Sequence, residues 1–183
     1  YKKYWPADVH FIGKGINWFH SVVWPAILLS AGIPLPKLVL VHGYVTVGGE
    51  KLSKSKGNVV DPFELLKKFQ VDAIRYFLLR EIPFGEDGDF TEKALIERTN
   101  NELVANIGNF VHRTLTFIWN NFEGTIPEPG KFDELDKSLE NSIKAVVREV
   151  ENNMEENRVD ETLKRIADFS ASCNQYFQKK EPW

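Results

Sequence analysis

The sequence predicts an α/β segment built on a parallel sheet, followed by an all-α antiparallel helical bundle, and three observations lead there. Two short apolar runs, Asp8–Ile12 and Lys37–Val41, flank a helical stretch, and strand–helix–strand implies a parallel pair joined by a right-handed crossover. Beyond residue 91, apolar residues recur by threes and fours in three long segments. Between the two parts, Pro83-Phe84-Gly85-Glu86-Asp87-Gly88-Asp89 has the composition of a loop or hinge. The expected regions are therefore 1–60 (sheet domain), 61–90 (helical connector) and 91–183 (helical domain).

Each element has its own signal. Val9, Phe11 and Ile12 form a buried strand closed by Gly13. From Ile16 to Ala31, Phe19, Val22, Val23, Ala26, Ile27 and Leu28 share a helix face, Pro25 is placed to kink that helix, and Gly32 stops it. Lys37–Val41 is a second interior strand between Pro36 and Gly43. Tyr44–Val47 and Gly48-Gly49 add an extended arm and a tight turn. Asp61, Pro62 and Glu64 have the spacing of an N-cap, a first helical residue and a capping-box partner, so helices are expected over 63–69 and 72–80. The first long helix carries Leu103, Ile107, Phe110, Val111, Leu115, Ile118 and Phe122 and breaks at Gly124–Gly130. Leu135 to Met154 and Leu163 to Phe177 repeat the pattern, and three amphipathic stripes must bury one another.

Composition excludes several classes. No apolar run approaches the roughly 18 residues that cross a bilayer. With 43% hydrophobic residues the chain can build real cores, so a folded protein is expected; with no spanning segment no membrane partner is expected, and the lone cysteine fits a reducing compartment, so the cytoplasm is the expected location. A single cysteine, Cys173, rules out an internal disulfide and a Cys-based zinc cluster within these residues, and no metal site is expected. The net charge of −3 speaks against indiscriminate coating of nucleic acid. Its distribution is informative: residues 1–60 hold seven Lys/Arg against two acids, whereas 61–130 hold seven against twelve. An anionic partner is therefore sought at the front.

That front contains Lys51-Leu52-Ser53-Lys54-Ser55-Lys56-Gly57-Asn58, with three ammonium groups, two hydroxyls and a glycine in eight residues. On composition alone this is a solvated basic loop or a nucleic-acid patch. It lacks Walker A spacing, so any phosphate it holds is gripped by side chains more than by a backbone nest. It also follows the second strand of a parallel unit, and ligands bind at the carboxyl ends of such strands.

Lys51-Leu52-Ser53-Lys54-Ser55 resembles the KMSKS signature of class I aminoacyl-tRNA synthetases, with Leu52 in the Met position. The block from His10 to His20, then Trp24-Pro25-Ala26 and His42-Gly43-Tyr44, resembles the methionine enzymes of that class, and the likeness runs from Trp5 to Trp183. It implies a Rossmann-type catalytic domain ending near residue 60 and an anticodon-binding bundle beyond residue 90. ATP with Mg2+, L-methionine and tRNA(Met) are the implied substrates. The resemblance makes Lys54 and Lys51 catalytic and assigns Lys51, Ser53, Lys54 and Ser55 to ATP. Lysines that tighten on the departing pyrophosphate as charge develops lower the barrier, by about 3 kcal/mol for one well-placed donor. It assigns Ile16 and His20 to the methionine pocket; their i,i+4 spacing puts both on one helix face, although a histidine so placed is by itself an ordinary structural residue. The family usually has Asp where this chain has Gly15.

Asn106, Asn109 and Arg113 form a polar stripe that on pattern alone is a solvated surface. The resemblance makes Asn109 and Arg113 anticodon contacts, and Pro182-Trp183 the site of a tryptophan that stacks on an anticodon base. Without it, Trp183 reads equally as a terminal anchor. The chain carries no His-x-Gly-His tetrad, the family's first ATP signature, and no zinc-knuckle cysteines. It is therefore expected to be a carboxy-terminal fragment, unable by itself to form methionyl adenylate. Rival expectations are a class I synthetase for leucine, isoleucine, valine or cysteine, which share the lysine loop, and a non-catalytic tRNA-binding module.

Overall fold

The computed structural model describes residues 2–52 and 59–183. They are mostly helical with two small sheets, and they divide into two compact units: 1–60 with 81–90, and 61–80 with 91–183. The segment 61–90 is thus shared between them.

In the first unit, β1 (Val9–Gly13) and β2 (Leu38–His42) pair in parallel, with Val9 opposite Leu38 and Gly13 opposite His42. The connection carries a 3-10 turn (Lys14–Ile16), a wide π-type turn (Phe19–Val23) and helix α1 (Trp24–Ser30). Pro25 accounts for the wide turn. It has no N–H to donate, and its ring crowds the preceding turn of an α-helix. The chain relieves this by opening into i→i−5 bonding, with the Trp24 N–H donating to the Phe19 carbonyl. The kink expected at Pro25 takes this form.

After β2, β3 (Val45–Val47) turns through Gly48 and Gly49, both at positive φ, into antiparallel β4 (Glu50–Lys51). A further strand, β5 (Gly88–Asp89), pairs in parallel with β3 inside the segment read from sequence as a loop. Two residues are too short to display a period of two, so composition spoke for a loop. Gly88 is required there because a Cβ would lie 2.3 Å from Ile82 Cγ1.

The second unit begins with α2 (Pro62–Lys68), capped by Asp61, whose carboxylate accepts the Phe63 N–H at 2.8 Å. Glu64, expected to complete a capping box, accepts from Lys67 Nζ at 2.6 Å. Next come α3 (Val71–Glu81) and one continuous helical rod made of α4 (Glu92–Arg98), a π-type stretch (Thr99–Gly108) and α5 (Asn109–Phe122). Glu102 ties α3 to this rod, accepting from the Tyr76 hydroxyl at 2.5 Å, Arg98 at 2.7 Å and Arg80 at 3.3 Å. Burial pushes the Glu102 carboxyl up, but Tyr76, Arg98 and Arg80 more than offset this and hold it below its ordinary value.

The π-type stretch alters the expected face. It takes more residues per turn than an α-helix, so a stripe counted in threes and fours rotates away. Val111 and Leu115, expected to be covered, are 46% and 61% exposed, while Asn106 is partly buried.

Helices α6 (Glu134–Glu155) and α7 (Val159–Lys180) form an antiparallel hairpin, with Ala167, Ser170 and Cys173 buried along α7. At its open end Asp133 and Asp136 make a reciprocal capping box at the start of α6. The Tyr176 hydroxyl donates to Asp136 at 2.5 Å, and Lys180 Nζ lies 2.9 Å from Asp133 and 3.0 Å from Asp136. Tyr176, the Asp133 N–H and Lys180 hold the Asp136 carboxyl well below the usual carboxylate range. A depressed folded pKa contributes stability that is complete above the unfolded value, about 4, and is lost as pH falls through the folded one. Asp136→Asn is therefore expected to lower the thermal midpoint at pH 7, and its gap to the parent should close as pH falls below about 4. Helix circular dichroism during acid titration checks this; a gap constant across the titration would contradict it.

Candidate functional site

The carboxyl ends of β1 and β2 lie side by side, Gly13 opposite His42. Each strand feeds a segment with functional side chains. Beyond β1 come Lys14, Gly15, Ile16 and His20; beyond β2 come Gly43, Tyr44 and the arm that ends at Lys51.

On the β1 side, His20 Nδ1 is 3.0 Å from the Ile16 carbonyl oxygen. A carbonyl only accepts, so this contact puts a proton on Nδ1. Ile16 is 46% exposed. The His20 ring meets the His10 ring edge-on at 6.2 Å, and Trp5 lies within 6.0 Å of both His10 and Trp24, ring centre to ring centre. His10 and the two tryptophans thus form an aromatic wall that i,i+4 spacing alone did not disclose.

On the β2 side, two carboxylates from the returning segment 81–90 hold the arm. Asp87 accepts the Tyr44 N–H at 2.7 Å and binds Lys14 Nζ at 2.5 Å. Asp89 accepts from Thr46 Oγ1 at 2.8 Å and the Gly49 N–H at 2.9 Å. Both are held below the ordinary carboxylate value, Asp87 by Lys14 first and then the Tyr44 N–H, Asp89 by the Gly49 N–H first and then Thr46. Gly43 permits the close approach, because a Cβ there would lie 1.7 Å from the Glu86 carbonyl oxygen. Sequence reasoning passed over Tyr44, Lys14, Asp87 and Asp89. The available signal was two acids at i,i+2 around a glycine, which is strand spacing.

Lys51 sits at the end of β4, its Nζ 3.9 Å from the centre of the Tyr44 ring, and Lys14 Nζ is 4.7 Å from the same ring. Gly15 bears on this arrangement. A Cβ at that position would come within 2.4 Å of the Tyr44 hydroxyl oxygen, so glycine leaves the room that the hydroxyl fills. Ser53, Lys54 and Ser55 lie outside the described residues.

The second unit holds the other expected residues. Asn109 Nδ2 donates to Asn174 at 3.2 Å and Arg113 to Gln178 at 3.1 Å, a ladder in which both helices advance by four, so α5 and α7 run parallel. The Arg113 guanidinium lies 4.9 Å from the Phe177 ring centre, and the Trp183 indole is 6.1 Å from the same ring. Glu181 has a left-handed backbone (φ 43) at the end of α7, where Pro182-Trp183 begins, and Trp183 is 68% exposed. Phe177 thus brings Arg113 and Trp183 to one place. Asn106, grouped with Asn109 and Arg113 by spacing, is instead a helix–helix clamp, donating to the Ala167 carbonyl at 2.7 Å and accepting from Asn174.

Among the described residues no helix is long and apolar enough to cross a membrane, and no group of three His, Cys, Asp or Glu side chains is placed to hold a metal.

The family model described as tRNA synthetases class I (M) matches residues 1–115, and the chain belongs to that family. Among its relatives, the methionine–tRNA ligase of Caldanaerobacter subterraneus is 47% identical over 183 residues, covering 100% of this chain and 29% of that protein. That of Brucella suis is 46% identical, covering 98% and 35%. A solved structure of Mycobacterium tuberculosis methionyl-tRNA synthetase in complex with methionyl-adenylate superposes with a TM-score of 0.94 at 41% identity, covering 100% of this chain and 36% of that one. The chain spans about a third of the length of the relatives it matches.

The Gly15 contact is testable in the full-length polypeptide. Gly15→Ala is expected to cost about 1–3 kcal/mol of stability by overpacking. Tyr44→Phe should recover most of this, since without the hydroxyl the nearest ring atom is Cζ at 3.5 Å, an ordinary contact. Urea unfolding of the four variants of this cycle gives the answer, and equal losses in both backgrounds would contradict it.

Proposed function

We propose that the chain is part of a methionine–tRNA ligase. The reaction consumes ATP, as its Mg2+ complex, and L-methionine to form methionyl adenylate, then transfers the methionyl group to tRNA(Met). In this reading the β1–β2 pair belongs to a Rossmann-type catalytic domain, residues 61–90 form a connector that is helical up to Glu81 and returns to β3 through β5, and 91–183 an antiparallel anticodon-binding bundle, in a cytoplasmic enzyme. The observation that carries it is the placing of two sets of residues beyond adjacent parallel strand ends, Ile16 and His20 beyond β1 and the arm ending at Lys51 beyond β2, with Lys14 and Tyr44 in contact between the two sides. Amino acid and ATP must be held side by side for one to attack the other.

In the first step the methionine carboxylate oxygen attacks the α-phosphorus, the bond to the bridging oxygen breaks, and pyrophosphate leaves with the added negative charge. Lys54 and Lys51 are the catalytic groups that meet this charge, with Ser53 and Ser55 orienting the phosphates. Ile16 supplies an apolar wall for the methionine side chain, and His20 a polar edge held by its bond to the Ile16 carbonyl. In the second step a hydroxyl of the terminal tRNA ribose attacks the adenylate carbonyl and AMP departs.

Asn109 and Arg113 read anticodon base edges, and Pro182 directs Trp183 as a stacking platform. The convergence of Arg113 and exposed Trp183 on Phe177 supports this, because unstacked bases are gripped by aromatic faces and guanidiniums. The full-length polypeptide tests the division of labour. Lys54→Ala should lower kcat for methionine-dependent pyrophosphate exchange by about 100-fold or more. Trp183→Ala should lower kcat/KM for tRNA charging by about 5- to 150-fold, equivalent to one lost stacked base, and leave exchange unchanged. Unchanged exchange in the first variant, or equal damage to both steps in the second, would overturn the corresponding assignment.

A further inference from the structure

The arm between β2 and the lysine loop carries a side chain with no role in the reaction described so far. The Tyr44 ring stands beneath the Lys51 ammonium at 3.9 Å from its centre, close enough for direct attraction between cation and ring face. Such a contact restrains a flexible four-carbon side chain.

The surroundings of Tyr44 are built to hold this ring in place. Its backbone N–H is bonded to Asp87, and its hydroxyl occupies the space that Gly15 leaves open. A second ammonium, Lys14, lies 4.7 Å from the ring centre, and the 2.5 Å Lys14–Asp87 ion pair offsets the repulsion between two lysines gathered at one aromatic. The segment after β1 contributes Lys14, the arm after β2 contributes Tyr44 and Lys51, and the returning segment 81–90 contributes Asp87.

We propose that Tyr44 is a positioning residue for ATP activation: its ring face holds the Lys51 ammonium in place at the end of β4 for the phosphates of ATP. This rests on the ATP reading of Lys51 given above. Tyr44 itself touches no reacting atom; it acts through Lys51.

The test is methionine-dependent pyrophosphate exchange in the full-length polypeptide. Tyr44→Phe keeps the ring face and is expected to stay within about twofold, whereas Tyr44→Leu should lower kcat by about 5- to 30-fold, matching the loss of one cation–ring contact, with KM for methionine unchanged. Because Lys51→Ala removes the same contact, adding Tyr44→Leu to it should cause no further loss. Replacing Tyr44 by phenylalanines with increasing ring fluorination, which preserve shape while draining the ring face of charge, should lower kcat stepwise, so the test does not depend on the fold of the Leu variant. If Lys51→Ala leaves exchange intact, the ATP reading of Lys51 falls and this proposal with it. If Lys51→Ala impairs exchange but the fluorinated series is flat, or the two substitutions multiply, the positioning role alone is overturned.

Discussion

Asp87 and Asp89 are the constraint on which the candidate site depends. They sit two residues apart on the returning segment, on either side of Gly88, and bind the two ends of the arm: Asp87 at the Tyr44 N–H, Asp89 at the Gly49 N–H. The arm's hairpin has a two-residue β4, and so short a ribbon is marginal by itself. Charge-assisted bonds from two carboxylates to backbone N–H groups are stronger than neutral ones. The Gly43 and Gly88 close approaches let the two backbones come near enough for those bonds to form. The position of Lys51 follows from that anchoring.

This arrangement makes the site non-local. Residues 61–80 pack with the second unit, and the chain then returns at 81–90 to complete the first. Two helices therefore separate the arm in sequence from the carboxylates that hold it. In the second unit the same economy appears in Glu102, one carboxylate that collects Tyr76, Arg80 and Arg98 and so joins α3 to the long helical rod. Both units use a few acidic side chains to fix elements that carry basic or aromatic functional groups.

What was legible in the sequence was whatever depends on local pattern. The strands β1 and β2, the Asp61 cap and the α6 and α7 stripes follow from apolar runs, a cap residue and helical spacing. The i,i+4 spacing of Ile16 and His20 also has a local counterpart, the contact of His20 Nδ1 with the Ile16 carbonyl oxygen. The rest required information that spacing lacks. Strand β5 has two residues, so its partners looked like loop acids. The π-type stretch at 99–108 changes the helical period midway, which carried Asn106 into the helix contact and left Val111 and Leu115 exposed. Tyr44 read as one more strand residue, because its importance arises from Gly15 and Lys51 meeting it in space.

We propose that these strand ends serve methionine in particular, not the amino acids of related synthetases that share a lysine loop. Amino-acid-dependent pyrophosphate exchange by the full-length polypeptide, measured with methionine, leucine, isoleucine, valine and cysteine in parallel, tests it most directly. The account predicts rapid exchange with methionine and kcat/KM lower by about 100-fold or more for each of the others, the scale of discrimination a shaped apolar pocket provides. Comparable or faster exchange with any of the other four would contradict it.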